Sequence, residues 1–267
     1  MFKSLYMLMI YSFVTLFSPF AHSTTERPLT FCVEVTEFPP FNYFVRENNI
    51  KTDILAGYDI DILKRVFEGV PYQVVSLPWR RCLMSLTTGA VDAAMSASMN
   101  EQRQRDYISS EPYYYLTPGY FYLAKAADTS SEIASGAALQ ALGSVCGLGG
   151  HNYAQFGLTK GSDVIRMVNY RQLAEMLKAG RCRYYLDRLE LLPAAIAILG
   201  ESFMPPLHKG RITGAPSEPF FMLISPKSSR RSWLQIHFND KIAELRSQGQ
   251  LAKILEYHQR KLTPDSH

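Results

Sequence analysis

The chain has 267 residues, of which 47% are hydrophobic and 19% are charged, and its net charge is +4. This composition excludes intrinsic disorder, collagen and a coiled coil, and the length is sufficient for one large or two modest domains that each bury a core. The basic residues are spread along the chain, which argues against a nucleic-acid-binding protein because such proteins concentrate their positive charge in a patch.

The first 23 residues have the pattern of a secretory signal peptide. Lys3 is followed by an apolar run from Leu5 to Phe20, and the small residues Ala21 and Ser23 mark a cleavage site after residue 23. An uncleaved N-terminal membrane anchor is the alternative, since the run is nearly long enough to span a bilayer. Cleavage predicts a mature chain that is exported to the periplasm.

Residues 29–96 alternate between strand and helix patterns. The patterns predict, in order, strand 29–35, helix 59–67, strand 72–77, helix 79–86 and strand 91–96. This βαβαβ order is typical of a mostly parallel sheet with helices on its faces.

Residues 144–187 repeat the same plan. The patterns predict strand 144–148, a helix from about residue 153, strand 164–168, helix 171–178 and strand 182–186. Two α/β units of similar layout predict two lobes, each built on a mostly parallel sheet flanked by helices.

Two apolar, aromatic-rich strand patterns, 119–125 and 220–225, join the two units, and each is preceded by a proline. We expect the chain to cross between the lobes at these strands, so that residues 24–120 and 221–267 form a discontinuous first lobe and residues 121–220 form the second. Two connecting strands allow hinge motion, and the cleft between two hinged lobes is suited to enclosing a small ligand.

The returning segment has the pattern of two helices. Leu234, Phe238, Ile242 and Leu245 follow one another at helical spacing and predict an amphipathic helix that packs on a partner surface. Gly249 is expected to separate this helix from a final helix over residues 250–261.

The four cysteines are Cys32, Cys82, Cys146 and Cys182. No CxxC pair occurs, so the spacing does not favour a zinc site. An even number of cysteines in an exported protein allows disulfides in any of three connectivities, and buried free thiols are the alternative.

Several short sequences in the first predicted lobe occur in a recognisable order: Phe38-Pro39-Pro40-Phe41, Gly57-Tyr58-Asp59-Ile60-Asp61, Trp79 with Leu83, Leu86, Gly89 and Asp92, the segment 96–103, and the segment 109–114. Together they resemble the polar amino acid-type periplasmic solute-binding proteins, family 3, which supply ABC transporters. The resemblance covers nearly the whole mature chain. It implies a two-lobed α/β fold of the type II-like periplasmic binding proteins with two hinge strands. It also implies a small amino acid-like ligand, an inner-membrane permease or sensor as partner, a monomeric state and no cofactor.

Arg103 and Ser98 lie where the third predicted strand ends, the edge at which open α/β sheets bind ligands. A guanidinium offers a planar fork of donors that matches a carboxylate, and a hydroxyl adds one further hydrogen bond. In similar proteins an Arg and a Ser at these positions bind the α-carboxylate of the ligand. We therefore expect Arg103, Ser98 and the neighbouring Ser96 to contact the ligand, and Arg105 to lie on the surface.

Three other residues of this lobe have a predicted role in the cleft or in a helix. Phe38 and Trp79 are candidate walls of the cleft, because flat side chains hold the apolar part of a ligand at little entropic cost, and ordinary core aromatics are the alternative. Asp59 is expected to cap the helix that follows it, since a carboxylate bonds the free N–H groups of a first turn.

The segment Gly147-Leu148-Gly149-Gly150-His151-Asn152 follows a predicted strand in the second lobe. Backbone N–H groups at such a turn hold anions, so Gly150 and its neighbours are expected to complete the carboxylate site. Similar proteins usually have Ser or Thr after this glycine, whereas His151 and Asn152 stand here. His151 facing the cleft would make binding depend on pH, and a surface position is the alternative.

Asp187 ends the last predicted strand of the second lobe. In similar proteins an Asp near this point pairs with the ligand ammonium group, although the alignment here is imperfect and Glu190 is a second candidate. Glu34 and Glu37 would favour a cationic ligand if they point into the cleft.

Three functions are compatible with these features. The leading hypothesis is a receptor that closes its lobes on a small zwitterion or carboxylate and docks to a membrane permease. An enzyme acting on a small carboxylic acid, for instance a dehydratase, is the second. Possible acids and bases for it are Ser98, His151, Asp187, Glu37 and Glu190. The third is the ligand-sensing input of a membrane partner.

Overall fold

The computed structural model describes residues 27–123, 132–158, 160, 163–200 and 203–262. The predicted signal peptide, residues 1–23, lies outside the described residues. Within the described ranges, none of the helices combines the length and apolar character that a membrane crossing requires.

The described chain builds two large sheets and a two-stranded one, β2 with β3, in three passes. The elements of the first pass are β1 (Leu29–Glu34), β2 (Tyr43–Glu47), β3 (Ile50–Ala56), α1 (Tyr58–Val66), β4 (Tyr72–Leu77), α2 (Trp79–Thr88), β5 (Ala93–Ser98), α3 (Glu101–Asp106), β6 (Ile108–Ser109) and β7 (Tyr114–Leu116). Those of the second pass are β8 (Pro118–Leu123), α4 (Gly136–Leu142), β9 (Val145–Leu148), a 3₁₀ turn (Ala154–Phe156), β10 (Ile165–Met167), α5 (Tyr170–Lys178), β11 (Tyr184–Arg188), α6 (Leu191–Leu199) and β12 (Leu207–Arg211). The third pass adds β13 (Glu218–Ile224), α7 (Arg231–Ser247) and α8 (Gln250–Leu262).

The two sheets confirm the predicted two-lobed α/β architecture. The first sheet has the order β4-β1-β5-β13-β6, with β7 also paired to β13, and the second has the order β10-β9-β11-β8-β12. In the first sheet β1 runs parallel to β4 and β5, and in the second β9 runs parallel to β10 and β11. Strands that cross between lobes run antiparallel: β8 to β11 and β13 to β5. The loops that follow the carboxyl ends of β5 and β9 therefore contain the ligand-binding candidates predicted from the sequence.

Burial explains why these segments form strands and helices. Five consecutive residues of β1, Leu29–Val33, are buried, as expected for a central strand covered on both faces. In α7 the buried residues are Leu234, Phe238, Ile242 and Leu245, which confirms the predicted amphipathic helix. Gly249 has φ 67 and separates α7 from α8 as predicted, because this left-handed conformation costs glycine little.

The chain passes from the first sheet to the second at Thr117, between β7 and β8, and returns between β12 and β13. The Thr117 N–H donates to the Glu190 carboxylate at 3.0 Å, and the Leu189 N–H donates to the Thr117 carbonyl at 2.9 Å. Glu190, the second candidate for the ligand ammonium, is thus bonded to the backbone at a crossing point. The lobe boundaries at residues 120 and 220 remain a prediction.

Two local predictions were wrong or incomplete. The helix expected from Tyr153 is a single 3₁₀ turn that ends at Gly157, which has φ 77. Asn152 Oδ1 accepts a hydrogen bond from Ala154 N at 3.1 Å, and the Tyr153 hydroxyl accepts one from Leu148 N at 2.7 Å. These local side-chain hydrogen bonds compete with helix propagation. The hairpin of β2 and β3, which turns at Asn48 and Asn49 with positive φ, was not predicted.

The four cysteines form two disulfides, which settles the connectivity that the sequence left open. Cys32 pairs with Cys82, joining β1 to α2, and Cys146 pairs with Cys182, joining β9 to the segment before β11. Each disulfide therefore lies within one lobe and braces the sheet next to the candidate loops. Neither links the two lobes.

Candidate functional site

A cavity of about 40 Å³ lies between the lobes, at the carboxyl ends of β5 and β9. Its apolar wall consists of Phe38, Trp79, Met95 and Phe220. The Phe38 and Phe220 rings lie 5.9 Å apart, centroid to centroid. The structure thus places both candidate wall aromatics, Phe38 and Trp79, at the cavity.

Arg103 lines this cavity from the first lobe. β5 ends at Ser98, and α3 begins after Asn100, whose side chain caps the helix by accepting from Arg103 N. The side chain of Arg103 is then directed along the sheet edge, where Nη1 donates to the Ser98 carbonyl at 2.6 Å. Arg103 is only 8% exposed. Among the described residues, its guanidinium has no carboxylate partner, whereas Arg105 is exposed as predicted.

The electrostatic environment of Arg103 is unfavourable to its charge. Burial and the neighbouring Arg188 guanidinium lower the pKa of Arg103 to about 10. It remains protonated at neutral pH, so a buried positive charge with no ionic partner in the described part of the chain faces the cavity. An anion is the ligand that would compensate such a charge.

Ser98 and Asn152 join the two lobes beside Arg103. Asn152 Nδ2, from the loop after β9, donates to the Ser98 hydroxyl at 3.2 Å and to the Met99 carbonyl at 2.9 Å. Ser98 is buried, and its hydroxyl also lies 3.5 Å from Arg103 Nη1. Within the described residues, no hydrogen bond joins the Ser98 hydroxyl to His151, so a Ser-His pair for nucleophilic catalysis is not assembled here.

Gly150 and His151 bring the second-lobe loop to the cavity. Gly150 has φ 86, and a Cβ at this position would lie 3.7 Å from Trp79 Cβ, so the loop backbone runs close to the opposite lobe. The N–H groups of Leu148 and Gly149 are already bonded, to the Tyr153 hydroxyl and the Met167 carbonyl. The His151 ring packs edge-on against Phe38 at 5.7 Å.

Arg188 is a cavity residue that sequence reasoning missed. It ends β11 and is 2% exposed. Its guanidinium contacts Glu218 Oε2 through Nε at 2.7 Å and Nη2 at 2.6 Å, and Nη2 also donates to the Asn152 carbonyl at 2.6 Å. Because Glu218 begins β13, this buried ion pair connects the second sheet to the first. A charged residue at the end of an otherwise buried strand was the only sequence signal that could have indicated it.

Asp187 is the one predicted contact residue that does not line the cavity. It is fully buried, and the Tyr185 hydroxyl and the Arg188 N–H donate to its two oxygens. His151 Nδ1 lies 3.3 Å from Asp187 Oδ1, on the cavity side. Burial alone would raise the pKa of Asp187, but His151, Arg188 and Tyr185 together hold it below its ordinary value.

Asp59 does not cap α1, contrary to the prediction. α1 begins at Tyr58, and the fully buried Asp59 side chain instead turns toward β5, where it accepts hydrogen bonds from Ser96 Oγ at 2.6 Å, the Tyr113 hydroxyl at 2.6 Å and Asn42 Nδ2 at 2.7 Å. The N–H groups of Tyr58 and Asp59 at the start of α1 already donate to the Pro40 and Phe41 carbonyls, so this turn needs no carboxylate cap, whereas three polar donors beneath the cavity are within reach. Ser96 and Asn42 both line the cavity, and Ser96 is held at a positive φ of 60.

The Asp59 network predicts a measurable pH effect. Burial raises the pKa of Asp59 from 3.8 to about 6, despite the hydrogen bonds from Ser96, Tyr113 and Asn42. Because the folded-state pKa is the higher one, the stabilising contribution of Asp59 is complete below about pH 4 and is lost as the pH rises through about 6. Relative to the wild type, Asp59→Asn should gain about 3 kcal/mol in its free energy of unfolding between these limits.

Urea unfolding of the wild type and Asp59→Asn at several pH values measures this difference. Asp106→Asn, at an exposed position, is the control and should track the wild type at every pH. A free-energy difference between Asp59→Asn and the wild type that does not change from pH 4 to pH 7 would contradict the assignment.

Comparison with known proteins places the fold and the site in context. The model of the bacterial extracellular solute-binding proteins, family 3, matches residues 29–261. No curated protein sequence matched the chain.

Solved structures of similar fold include an amino acid ABC transporter substrate-binding protein from Streptococcus pneumoniae bound to L-arginine, with 17% identity, a TM-score of 0.69 and coverage of 89% of this chain and 97% of that one. Another is an arginine-, lysine-, histidine-binding protein from Geobacillus stearothermophilus, with 17% identity, a TM-score of 0.66 and coverage of 88% and 99%. A third is an ancestral amino acid-binding protein described as a precursor of cyclohexadienyl dehydratase, with 17% identity, a TM-score of 0.63 and coverage of 86% and 94%. At these identities the similarity establishes the fold.

Proposed function

The chain belongs to the bacterial extracellular solute-binding proteins, family 3, and we propose that it captures a small organic carboxylate, the class that includes amino acids, between its two lobes. The observation that carries this proposal is Arg103. A guanidinium that is 8% exposed, faces the cavity between the lobes and has no described carboxylate partner is suited to binding a ligand carboxylate. Ser98 lies beside it and supplies a further polar contact.

Hinge motion is part of the proposal. The cavity volume of about 40 Å³ corresponds to a few water molecules, so the lobes separate before a ligand enters. The hydrogen bonds of Asn152 to Ser98 and Met99 are the contacts that break and re-form in this motion. Their re-formation after ligand entry excludes water from Arg103 and strengthens its interaction with the carboxylate.

Export and delivery complete the proposed role. The family is extracellular, and the predicted signal peptide supports export to the periplasm. Two neighbours of similar fold are named as substrate-binding proteins of amino acid ABC transporters, which supports an inner-membrane ABC permease as the partner; we propose that the receptor is a monomer. A sensor protein that reads the closed lobes would use the same ligand chemistry.

Binding without chemical conversion is the function we propose. A catalytic role is the second candidate, because a protein of similar fold is described as a precursor of a dehydratase and because His151 lies 3.3 Å from Asp187 at the cavity. Mass spectrometry of each bound acid after prolonged incubation separates the two functions, since a receptor returns its ligand unchanged.

Thermal-shift measurements with a panel of small carboxylic and amino acids test the proposed function. Each acid is paired with its primary amide, which keeps the shape and removes the negative charge. We expect at least one acid to raise the melting temperature, since a ligand at about a hundred times its Kd stabilises by about 2.7 kcal/mol. The matching amide should produce no shift. Equal shifts from acid and amide, or no shift from any acid, would contradict the proposal.

A further inference from the structure

We propose that the ligand is a carboxylate that lacks an α-ammonium group, because each carboxylate around the cavity is either bonded to backbone N–H groups or separated from the cavity by His151 or Arg188. This inference rests on the proposed carboxylate-binding function and narrows its ligand class. It also departs from the zwitterionic ligand expected from the sequence. The ammonium group of an amino acid needs a fixed negative partner once it leaves water. An acidic side chain near Arg103 would have to supply that partner.

Asp187, the residue expected to hold an ammonium group, is closed off from the cavity. It is fully buried, and its oxygens are bonded by the Tyr185 hydroxyl and the Arg188 N–H. The His151 imidazole lies 3.3 Å from Asp187 Oδ1 and itself lines the cavity, so it stands between this carboxylate and a ligand. His151 occupies the place in which an ammonium group would meet Asp187.

Arg188 holds one oxygen of Glu218, whereas Oε1 is buried and has no hydrogen-bond partner among the described residues. Glu218 Oε2 is contacted by both Nε and Nη2 of Arg188, at 2.7 Å and 2.6 Å, and its side chain is 2% exposed. The guanidinium of Arg188, not the carboxylate of Glu218, lines the cavity. A cation approaching from the cavity therefore meets Arg188 first.

Glu34 is the one carboxylate among the described residues that lines the cavity. One oxygen accepts from Trp79 N at 3.0 Å, where α2 begins, and the other accepts from Thr36 N at 3.0 Å. These hydrogen bonds hold the Glu34 carboxylate at the N-terminus of α2, where the helix dipole also favours its negative charge. Glu37 turns away and forms an ion pair with Arg46 at 2.7 Å.

The rest of the cavity lining suits a ligand that is uncharged apart from its carboxylate. Of the two guanidiniums that line the cavity, Arg188 is paired with Glu218, and the charge of Glu34 is met by two backbone N–H groups, so Arg103 is the charge that a ligand carboxylate would balance. Asn42, whose Nδ2 is bonded to Asp59, keeps a buried Oδ1 with no described donor, and this neutral oxygen suits a hydroxyl group. Phe38, Trp79 and Phe220 complete an apolar lining for an alkyl or aryl group.

Isothermal titration with matched ligand series tests the inference. Each series contains an amino acid, its 2-hydroxy analogue and the unsubstituted acid, and the series are built on alanine, leucine, phenylalanine, glutamate and arginine. In the series that binds, we expect the amino acid to bind at least about tenfold more weakly than the tighter of its two analogues. An amino acid that binds more tightly than both analogues would overturn the inference.

The variant His151→Ala provides the second arm. Removing the imidazole leaves the Asp187 carboxylate facing the cavity, so the affinity ratio of amino acid to unsubstituted acid should move about tenfold toward the amino acid. His208→Ala, an exposed histidine of β12, is the matched control and should leave the ratio unchanged. An unchanged ratio in a folded His151→Ala protein would contradict the assigned role of His151.

These experiments distinguish a failure of the proposed carboxylate site from a failure of the narrower ligand class. If an amino acid binds most tightly and replacing Arg103 abolishes its binding, the proposed carboxylate site stands and the inference is wrong. If no member of any series binds the wild type, the proposed function and the inference both fall.

Discussion

Replacement of Arg103 by methionine is expected to weaken ligand binding by about 30-fold or more, the largest effect of any single change in the cavity. The estimate corresponds to about 2 kcal/mol for a charge-assisted hydrogen bond in a buried site. Methionine keeps much of the length of the side chain and loses the guanidinium, so the carboxylate of the ligand has no cationic partner. Isothermal titration with an acid that binds the wild type measures the loss.

The stability of Arg103→Met should move in the opposite direction. Arg103 is buried, and no described carboxylate would be left without a partner when its charge is removed. Burial and Arg188 already lower its pKa to about 10, which means that the fold disfavours the charge. We therefore expect a melting temperature equal to or above that of the wild type. Arg105→Met, two residues later on α3 and exposed, is the matched control and should bind normally. Unchanged affinity in a folded Arg103→Met protein would remove Arg103 from the site.

Replacement of Arg188 by methionine is expected to have the largest effect on stability. Arg188 and Glu218 are each 2% exposed and joined at 2.6–2.7 Å. Removing one partner of a buried ion pair leaves an uncompensated charge and costs about 3–5 kcal/mol. The Asn152 carbonyl also loses its donor, so the second-lobe loop is released from β11. Chemical denaturation at neutral pH measures the change in the free energy of unfolding.

A double variant separates the charge from the packing. Arg188→Met combined with Glu218→Gln removes both charges, and we expect it to recover part of the stability lost in Arg188→Met. Arg260→Met, which alters an exposed arginine of α8, should be indistinguishable from the wild type. A loss below about 1 kcal/mol for Arg188→Met would show that this ion pair contributes no more than a surface pair.

The parts of the fold that sequence predicted correctly depend on local patterns. The strand at Tyr72–Leu77 and the amphipathic helix of Leu234 and Phe238 follow from side-chain periodicity, which is set by which face of the element is buried. The position of Arg103 was predictable for a related reason. A residue just after a strand of an open α/β sheet lies at the edge where ligands bind, whatever the rest of the chain does.

The parts that sequence could not predict depend on partners far away along the chain. Arg188 pairs with Glu218, 30 residues later, and no local pattern marks such a pair. The role of Asp59 was wrong because its three donors, among them Ser96 and Tyr113, come from segments 37 and 54 residues away. A carboxylate at a helix start predicts a cap only when no better donor lies within reach.

The engagement of Asp187 illustrates the same limit at the site itself. Its place at the end of β11 was predicted, and the expected partner was a ligand ammonium group. The structure instead brings Tyr185, Arg188 and His151 around it. Which of two oppositely charged partners a buried carboxylate takes is decided by three-dimensional packing, and the sequence carries this information only through the whole fold.

A crystal structure of the protein with the tightest-binding acid of the ligand panel tests the central claim most directly. We expect the ligand carboxylate to lie between the two lobes, within hydrogen-bonding distance of the Arg103 guanidinium, with the apolar part of the ligand against Phe38 and Trp79. A ligand bound outside this cavity, or one whose carboxylate contacts neither Arg103 nor Ser98, would contradict it.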